Sequence, residues 1–333
     1  MEQSGFIQYC GILYDIDAYG ICGKFSAEQK FCAEQGVCCM TLLTYQVFKT
    51  VAEMGSFHKA AEVLGLTPSA ISHAVSAMEK ELGFAVLTRN KSGVSLTNYG
   101  EHILPYVNAV LNSDESLQQV IAEYKGLKAG TVRVGCFASA CNNWMPSIIK
   151  SFEKKYPAIR IEVFQGTYDD VSEWIKTGVV DFGFMSISSA GDLNIRPFYQ
   201  DPLLCVVPKD FKKKKNTDTM SLDEMRGEHF VVQRESTDAD IQHYLRTNHL
   251  NVEADYHVVD DMSTVVMVAN GFGICIMPEL TMRGMPYETK SYPMNPPAYR
   301  NIGLACLNPD LMAPAVRTLY QHIIKEYGNE ETE

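Results

Sequence analysis

Ser69, Ser72, His73 and Ser76, with Lys80 one turn further on, fall on one face of a helix predicted over 68–82. Ile71, Val75, Met78 and Leu82 fall roughly 150° away on the same wheel. A helix that only needed to be soluble would carry more charge on its polar face. Small hydroxyls and one imidazole are short enough to let the backbone sit deep in a groove. There they exchange hydrogen bonds with base edges and phosphates. The flanking residues supply the ends. Thr67 is an N-cap and Pro68 takes the first helical position, where its missing N–H does no harm. Upstream, Ser56 caps a shorter helix whose inner face is Ala60, Ala61 and Leu64, and Gly65 ends it. Residues 56–82 therefore read as a helix-turn-helix whose second helix enters a DNA major groove. Its candidate DNA-contacting residues are Thr67, Pro68, Ser69, Ser72, His73 and Ser76.

The neighbouring elements position this pair. Residues 41–54 form a helix with an apolar stripe at Leu43, Val47 and Val51. Residues 84–96 read as two short strands around the turn Asn90-Lys91-Ser92-Gly93, a wing whose tip presents Arg89 and Lys91 to phosphate or the minor groove. Thr97 caps a long helix running to Tyr124. Ile103, Val107, Val110, Leu117, Ile121 and Tyr124 alternate in steps of four and three, with Asp114 at the one polar position. That is a coiled-coil seam of about three heptads, and it implies a dimer. Pro105 should kink this helix or loosen its first turn. Residues 125–130, KGLKAG, are a linker by composition.

From Thr131 the pattern changes to strands alternating with helices: TVRVG, a helix over 143–155, IRIEVF, a helix over 168–177, then VDFGFM. Further apolar runs lie at 203–208, 229–233, 273–278 and 302–307, and 311–327 makes a last helix. This predicts an α/β region with a parallel sheet, divided into two subdomains around a cleft.

Composition bounds the rest. The 333 residues are 46% apolar, and no apolar run approaches the ~20 residues needed to span a bilayer, so a cytoplasmic location is the expectation. The net charge of −11 is unevenly spread. Residues 40–98 carry five basic and four acidic side chains, which leaves about −12 elsewhere. One copy of the domain should hold DNA weakly. Of ten cysteines, five lie in the first 39 residues, without CxxC spacing or a His cluster, so neither metal nor cofactor is expected. Residues 1–39 lack any sustained period, and Met40 reads as the natural start. An enzyme finds little support: Gly271-Phe272-Gly273 lacks its third glycine, and no GxSxG, P-loop or HExxH is present. A thiol-based regulator would use Cys136 and Cys141, but no positive charge lies nearby in sequence to activate them.

The runs FKTVAEMGSFHKAAEVLGLTPSAISHAVSAMEKELG, LTRN and SLTNYGE, followed by FEKKYP, GVVDFGF and GFGICIMPEL, resemble LysR-type transcriptional regulators over residues 40–330. The resemblance implies a winged helix-turn-helix at 40–98, a dimerising helix at 99–126 and an effector domain of periplasmic-binding-protein type at 130–330. One lobe would be 130–199 with 298–330, the other 200–297. It also implies a homodimer or homotetramer on double-stranded promoter DNA, contact with RNA polymerase, and a small-molecule effector between the lobes. Two positions depart from the family. Pro68-Ser69 stands where many members have Gln followed by Pro, and His73 where many have Arg. Family placement of the effector points to Ser139 after the first strand, Gly166, Thr167 and Tyr168 after the second, and Ser186 after the third. Ser236, Thr237 and Asp261 occupy comparable loops on the other lobe, and Phe137 and Trp144 would form an apolar wall. Free helix N–H groups beside Ser139 and Thr167 would suit an anion.

Overall fold

The computed structural model describes residues 40–90, 93–124, 129–233 and 239–328. The leader at 1–39, Lys91, residues 125–128 of the linker, and Ser236 and Thr237 lie outside the described residues.

Three helices open the fold: α1 (Leu42–Met54), α2 (Phe57–Leu64) and α3 (Pro68–Leu82). Each begins at a hydroxyl, Ser56 and Thr67 as expected. Thr41, Ser56 and Thr67 accept from the N–H of Thr44, Lys59 and Ala70 at 3.2, 3.4 and 3.2 Å. Gly65, at φ 63°, makes the tight turn between α2 and α3 that a side-chain-bearing residue adopts only with strain. Phe48, Val51, Ala60, Ile71 and Met78 are completely buried where the three helices meet. The small side chains of α2 let α3 approach closely. The wing strands β1 (Leu87–Asn90) and β2 (Gly93–Leu96) pair antiparallel, Leu87 opposite Leu96.

The long helix α4 (Asn98–Tyr124) runs continuously through Pro105. Its predicted seam divides in two. Ile103 and Val107 pack into the core of the same winged domain, and Val107 is only 3% exposed. Intrachain burial claims these first positions because the wing strands and α1 lie against the helix start. Val110, Leu117, Ile121 and Tyr124 remain exposed, the last at 90%. The other face of α4 docks on the α/β region. Asn112 donates to the Gly178 carbonyl, Gln119 Nε2 to Thr131 O at 3.1 Å, and Glu115 pairs with Arg133 at 2.7 Å.

The α/β region follows in order: β3 (Gly130–Cys136), α5 (Ala138–Asn143), α6 (Met145–Lys155), β4 (Ile159–Gln165), α7 (Tyr168–Lys176), β5 (Phe182–Ser186), β6 (Asn194–Pro208), β7 (Met220–Ser221), α8 (Leu222–Met225), β8 (His229–Gln233), α9 (Ala239–Thr247), β9 (Glu253–Val258), α10 (Asp261–Ala269), β10 (Cys275–Pro278), α11 (Glu279–Met282), β11 (Thr289–Asn295), β12 (Tyr299–Cys306) and α12 (Pro314–Tyr327). The main sheet runs β4-β3-β5-β12-β6-β11-β7, with β10 also on β6, while β8 and β9 pair separately. It is mixed rather than parallel. The chain leaves the first lobe along β6 and returns along β12, and an out-and-back pair must run antiparallel. One apolar core gathers around β3, β5 and β12, with Phe152, Phe182 and Phe184 fully buried. The other lobe has two smaller cores around β6, β8 and β10.

Where α4 meets this region, Arg133 also faces Glu162 at 3.3 Å, and its backbone N–H donates to Asp181 at 2.6 Å. Burial raises the Asp181 carboxyl from 3.8 to about 6. The Arg133 N–H and guanidinium oppose this shift, and Glu115 and Glu162 add to it. The folded chain therefore binds more protons than the unfolded chain between about pH 4 and 6. Stability from this group is fully present below about 4 and is lost as pH rises through 6. Asp181→Asn, which keeps an acceptor for the Arg133 N–H, is expected to flatten that decline and to raise unfolding free energy at pH 7 by about 1–3 kcal/mol. Urea denaturation at pH 4.5 and 7 measures both; a variant as pH-dependent as the native chain would contradict the assignment.

Candidate functional site

The polar face of α3 stands clear of the core. Thr67, Pro68, Ser69, His73 and Ser76 are exposed and Ser72 is half-buried, while Ile71, Val75 and Met78 face inward. Arg89 stands on the first wing strand. Its Nη2 donates to Ser72 Oγ at 3.1 Å, and its guanidinium lies 4.2 Å from the centre of the Phe57 ring. Stacking on the ring and the bond to Ser72 draw it back across the N-terminal half of α3. It thus lies beside the exposed face of α3 and is itself exposed. Glu79 has a role its sequence position does not advertise. Its Oε1 accepts from the N–H groups of Val86 and Leu87 at 2.9 and 3.2 Å, which ties α3 to the first wing strand.

A second site opens between the lobes, beyond the carboxyl ends of β3, β4 and β8, where open α/β sheets bind ligands. The cleft holds about 300 Å³ and is lined by Phe137–Ser139, Gln165–Tyr168 and Asp170 on one side, with Gln233, Val259–Asp261, Pro278, Thr281 and Arg300 completing it. Ser139, Gly166, Thr167, Tyr168 and Asp261 are thus brought together as expected. Gly166 is glycine because a Cβ would come within 2.6 Å of Trp174 and 2.8 Å of Asp170. Thr167 offers no free donor: its N–H and hydroxyl both donate to Asp170 Oδ2 at 2.8 Å, closing a capping box on α7.

Two expected residues are elsewhere. Ser186 is completely buried and donates to Asp240 Oδ2 at 2.7 Å, a tie between the end of β5 and α9. Trp144 packs among Phe184, Phe198 and Tyr199, with ring centres 5.1–5.4 Å apart, inside the first lobe. In each case the large apolar core or a polar partner across the lobes takes the side chain out of the cleft. Phe137 does line it.

Arg300, on β12, was not anticipated, yet it organises the floor. It is 4% exposed. Its Nε and Nη2 donate to Asp201 Oδ2 at 3.1 and 2.5 Å, Nη1 to the Tyr168 hydroxyl at 3.0 Å, and Nη2 also to Ser139 Oγ at 3.1 Å. The Phe137 ring lies 4.8 Å from the guanidinium carbon. Asp201 is completely buried and accepts the Leu280 N–H at 2.9 Å. Burial raises its carboxyl above the ordinary range, and Arg300 and the Leu280 N–H pull it back. No short-range pattern announces a pair built across two strands 99 positions apart.

The thiol reading fares poorly. Cys136 is completely buried, and burial pushes its thiol well above the ordinary value, with Cys141 adding to the effect, which disfavours the reactive thiolate.

A helix-turn-helix with an exposed small-residue face beside a wing, joined by a long helix to a two-lobed α/β region with an interlobe cleft, is the architecture of a DNA-binding protein with an effector-binding domain. Family profiles agree: that of the bacterial regulatory helix-turn-helix proteins of the lysR family matches residues 42–101, and that of the LysR substrate binding domain matches 125–328. The HTH-type transcriptional regulator YvbU of Bacillus subtilis is 30% identical over 269 residues, covering 80% of this chain and 91% of its own. In fold the chain is similar to a full-length OxyR variant from Pseudomonas aeruginosa, with TM-score 0.66 and 19% identity over 87% of this chain and 98% of that one. It is also similar to full-length CbnR complexed with its target DNA, with TM-score 0.61 and 18% identity over 86% and 99%. The chain belongs to the LysR family: it is a LysR-type DNA-binding transcriptional regulator with an effector-binding domain, not an enzyme.

The buried pair yields a stability test. Arg300→Met strands the Asp201 charge and should cost about 3–5 kcal/mol. Adding Asp201→Asn, which keeps an acceptor for the Leu280 N–H, should recover more than half of that loss. Urea denaturation of the full chain reads both; a double variant no more stable than the single one would contradict this account.

Proposed function

We propose that this regulator reads promoter DNA through Thr67, Pro68, Ser69, Ser72, His73 and Ser76 of the α3 region, with Arg89 and Lys91 on phosphate or the minor groove. The reading rests on one observation: among the described residues the small, hydrogen-bonding face of α3 stays exposed at Thr67, Pro68, Ser69, His73 and Ser76, with Arg89 set beside it at Ser72. It acts in the cytoplasm as a homodimer or homotetramer. Supporting this, the exposed stripe Val110, Leu117, Ile121 and Tyr124 on α4 offers an apolar seam for a second copy, while no helix among the described residues is long and apolar enough to cross a membrane. The near-neutral charge of residues 40–98 makes paired binding necessary for useful affinity. CbnR, of similar fold, is described in complex with its target DNA.

We further infer that a small-molecule effector occupies the interlobe cleft at Ser139, Gly166, Thr167, Tyr168 and Asp261, with Ser236 and Thr237 as further candidates from the sequence, and that its binding alters contacts with RNA polymerase. The working division is a winged domain at 40–98, a dimerising helix at 99–126 and an effector domain at 130–330.

Ser72→Ala combined with His73→Ala should weaken binding to the native promoter site by about 10- to 100-fold or more, since each well-placed base contact contributes ~1–3 kcal/mol. The oligomeric state should not change. Footprinting with sedimentation analysis checks this; an unchanged footprint would misplace the recognition face. Leu117→Asp with Ile121→Asp should dissociate the assembly and shorten the footprint to a half-site, and a variant that sediments like the native protein would remove α4 as the seam.

A further inference from the structure

Arg89 is a surface cation held without an acidic partner. Arg133, Arg160, Arg226, Arg283 and Arg300 each lie within ion-pair distance of a carboxylate. Among the described residues no carboxylate pairs with Arg89, which rests instead on the Phe57 ring at 4.2 Å and on Ser72 Oγ at 3.1 Å. The ring covers one face of the guanidinium and Ser72 takes one N–H of Nη2, so the other N–H donors along its edge stay unspent. The Ser72 hydroxyl is in a similar position. Thr50, Ser113, Ser116 and Thr318 each donate their hydroxyl proton to the carbonyl four residues back in their own helices. Ser72 makes no such bond to a described residue: its oxygen accepts from Arg89, and its proton is left to donate. Guanidinium and hydroxyl together form a positively charged pair with only donors to offer. That is the complement of a phosphate, whose oxygens only accept. The position of the pair agrees. Phe57 is the first residue of α2, the helix that crosses the DNA backbone when a helix-turn-helix docks. Ser72 is half-buried, while Ser69, His73 and Ser76 stand exposed.

We propose that Phe57 is a positioning residue that holds Arg89 against Ser72, so that the guanidinium and the hydroxyl close together on one backbone phosphate. This step rests on the reading of α3 as the DNA-contacting helix and divides the labour within it. Ser72 and Arg89 fix the register and orientation of α3, and base reading falls to Ser69, His73 and Ser76. Phe57 acts through Arg89. Its ring restrains a long side chain that would otherwise sample many rotamers, so the phosphate meets donors already in place.

Affinity of the full chain is measured across a salt series on two duplexes, one of random sequence and one carrying the site that the native chain selects from a random pool. Phe57→Leu keeps apolar bulk at the start of α2 and removes the aromatic face. It should weaken both complexes by about 2- to 5-fold. Phe57→Tyr, which keeps the ring, should bind like the native chain. Arg89→Met should lower the slope of log affinity against log salt by about 1, the signature of one lost phosphate contact. In the Arg89→Met background Phe57→Leu should have little further effect, because both act on the same contact. Ser72→Ala should weaken both complexes without changing the preferred base at any position. A Phe57 that only supported the fold would cost as much with Met at position 89 as with Arg, and that result overturns the proposal. Native affinity in Phe57→Leu overturns it too. So does a Ser72→Ala loss confined to the selected site, which would put the pair on a base edge. A native chain that binds neither duplex refutes the regulator reading itself, an outcome distinct from all of these.

Discussion

The cleft and both lobes depend on one buried ion pair. Asp201 and Arg300 are direct cross-strand partners on β6 and β12, the two strands by which the chain leaves the first lobe and returns to it. From that point Asp201 reaches Leu280 at the start of the second lobe's α11 region, and Arg300 reaches Ser139 and Tyr168 in the first. Taking both charges out of water is costly, and two apolar residues of the same size would pack there at no such cost. What the pair supplies is geometry. Its five hydrogen bonds define where the Ser139 hydroxyl and the Tyr168 ring stand, and they leave the cleft floor without net charge.

A second charge network lies on the other face of the same strand system. Arg133, in the middle of β3, joins Glu115 of α4 to Glu162 of β4 and gives its N–H to Asp181. Phe137 and Ser139 follow immediately after β3 ends. One seven-residue strand therefore carries the cleft wall at its end and the docking face of the long helix along its length. The cleft wall and the long helix are thus joined through contiguous contacts, each a specific pair that substitution can remove.

What was legible in the sequence is what is local. The winged domain followed from caps, glycines and helical period, because Thr67, Pro68 and Gly65 act within a few residues of themselves. The first half of the seam misled because Ile103 and Val107 have the same spacing whether they meet a second chain or their own domain. Arg300 was invisible: its partners Ser139 and Tyr168 lie 161 and 132 positions away, and no periodic pattern encodes such a meeting. Thr167 is different. Its capping partner Asp170 is three residues on, so the stretch TYDD already signalled that this helix start is occupied by the protein's own carboxylate.

The chain is acidic overall yet carries a helix-turn-helix DNA-binding domain. About +1 of charge on residues 40–98 gives one α3 little hold on the phosphate backbone. Two copies joined by a stiff helix share each binding event, because the second contact then occurs at the high local concentration fixed by the first. In the proposed dimer the exposed stripe on α4 would set that spacing, while its opposite face is committed to Gly178, Thr131 and Arg133. A helix held on both faces transmits a change in angle rather than absorbing it. In such a dimer affinity rests on the relative placement of two domains rather than on the charge of one.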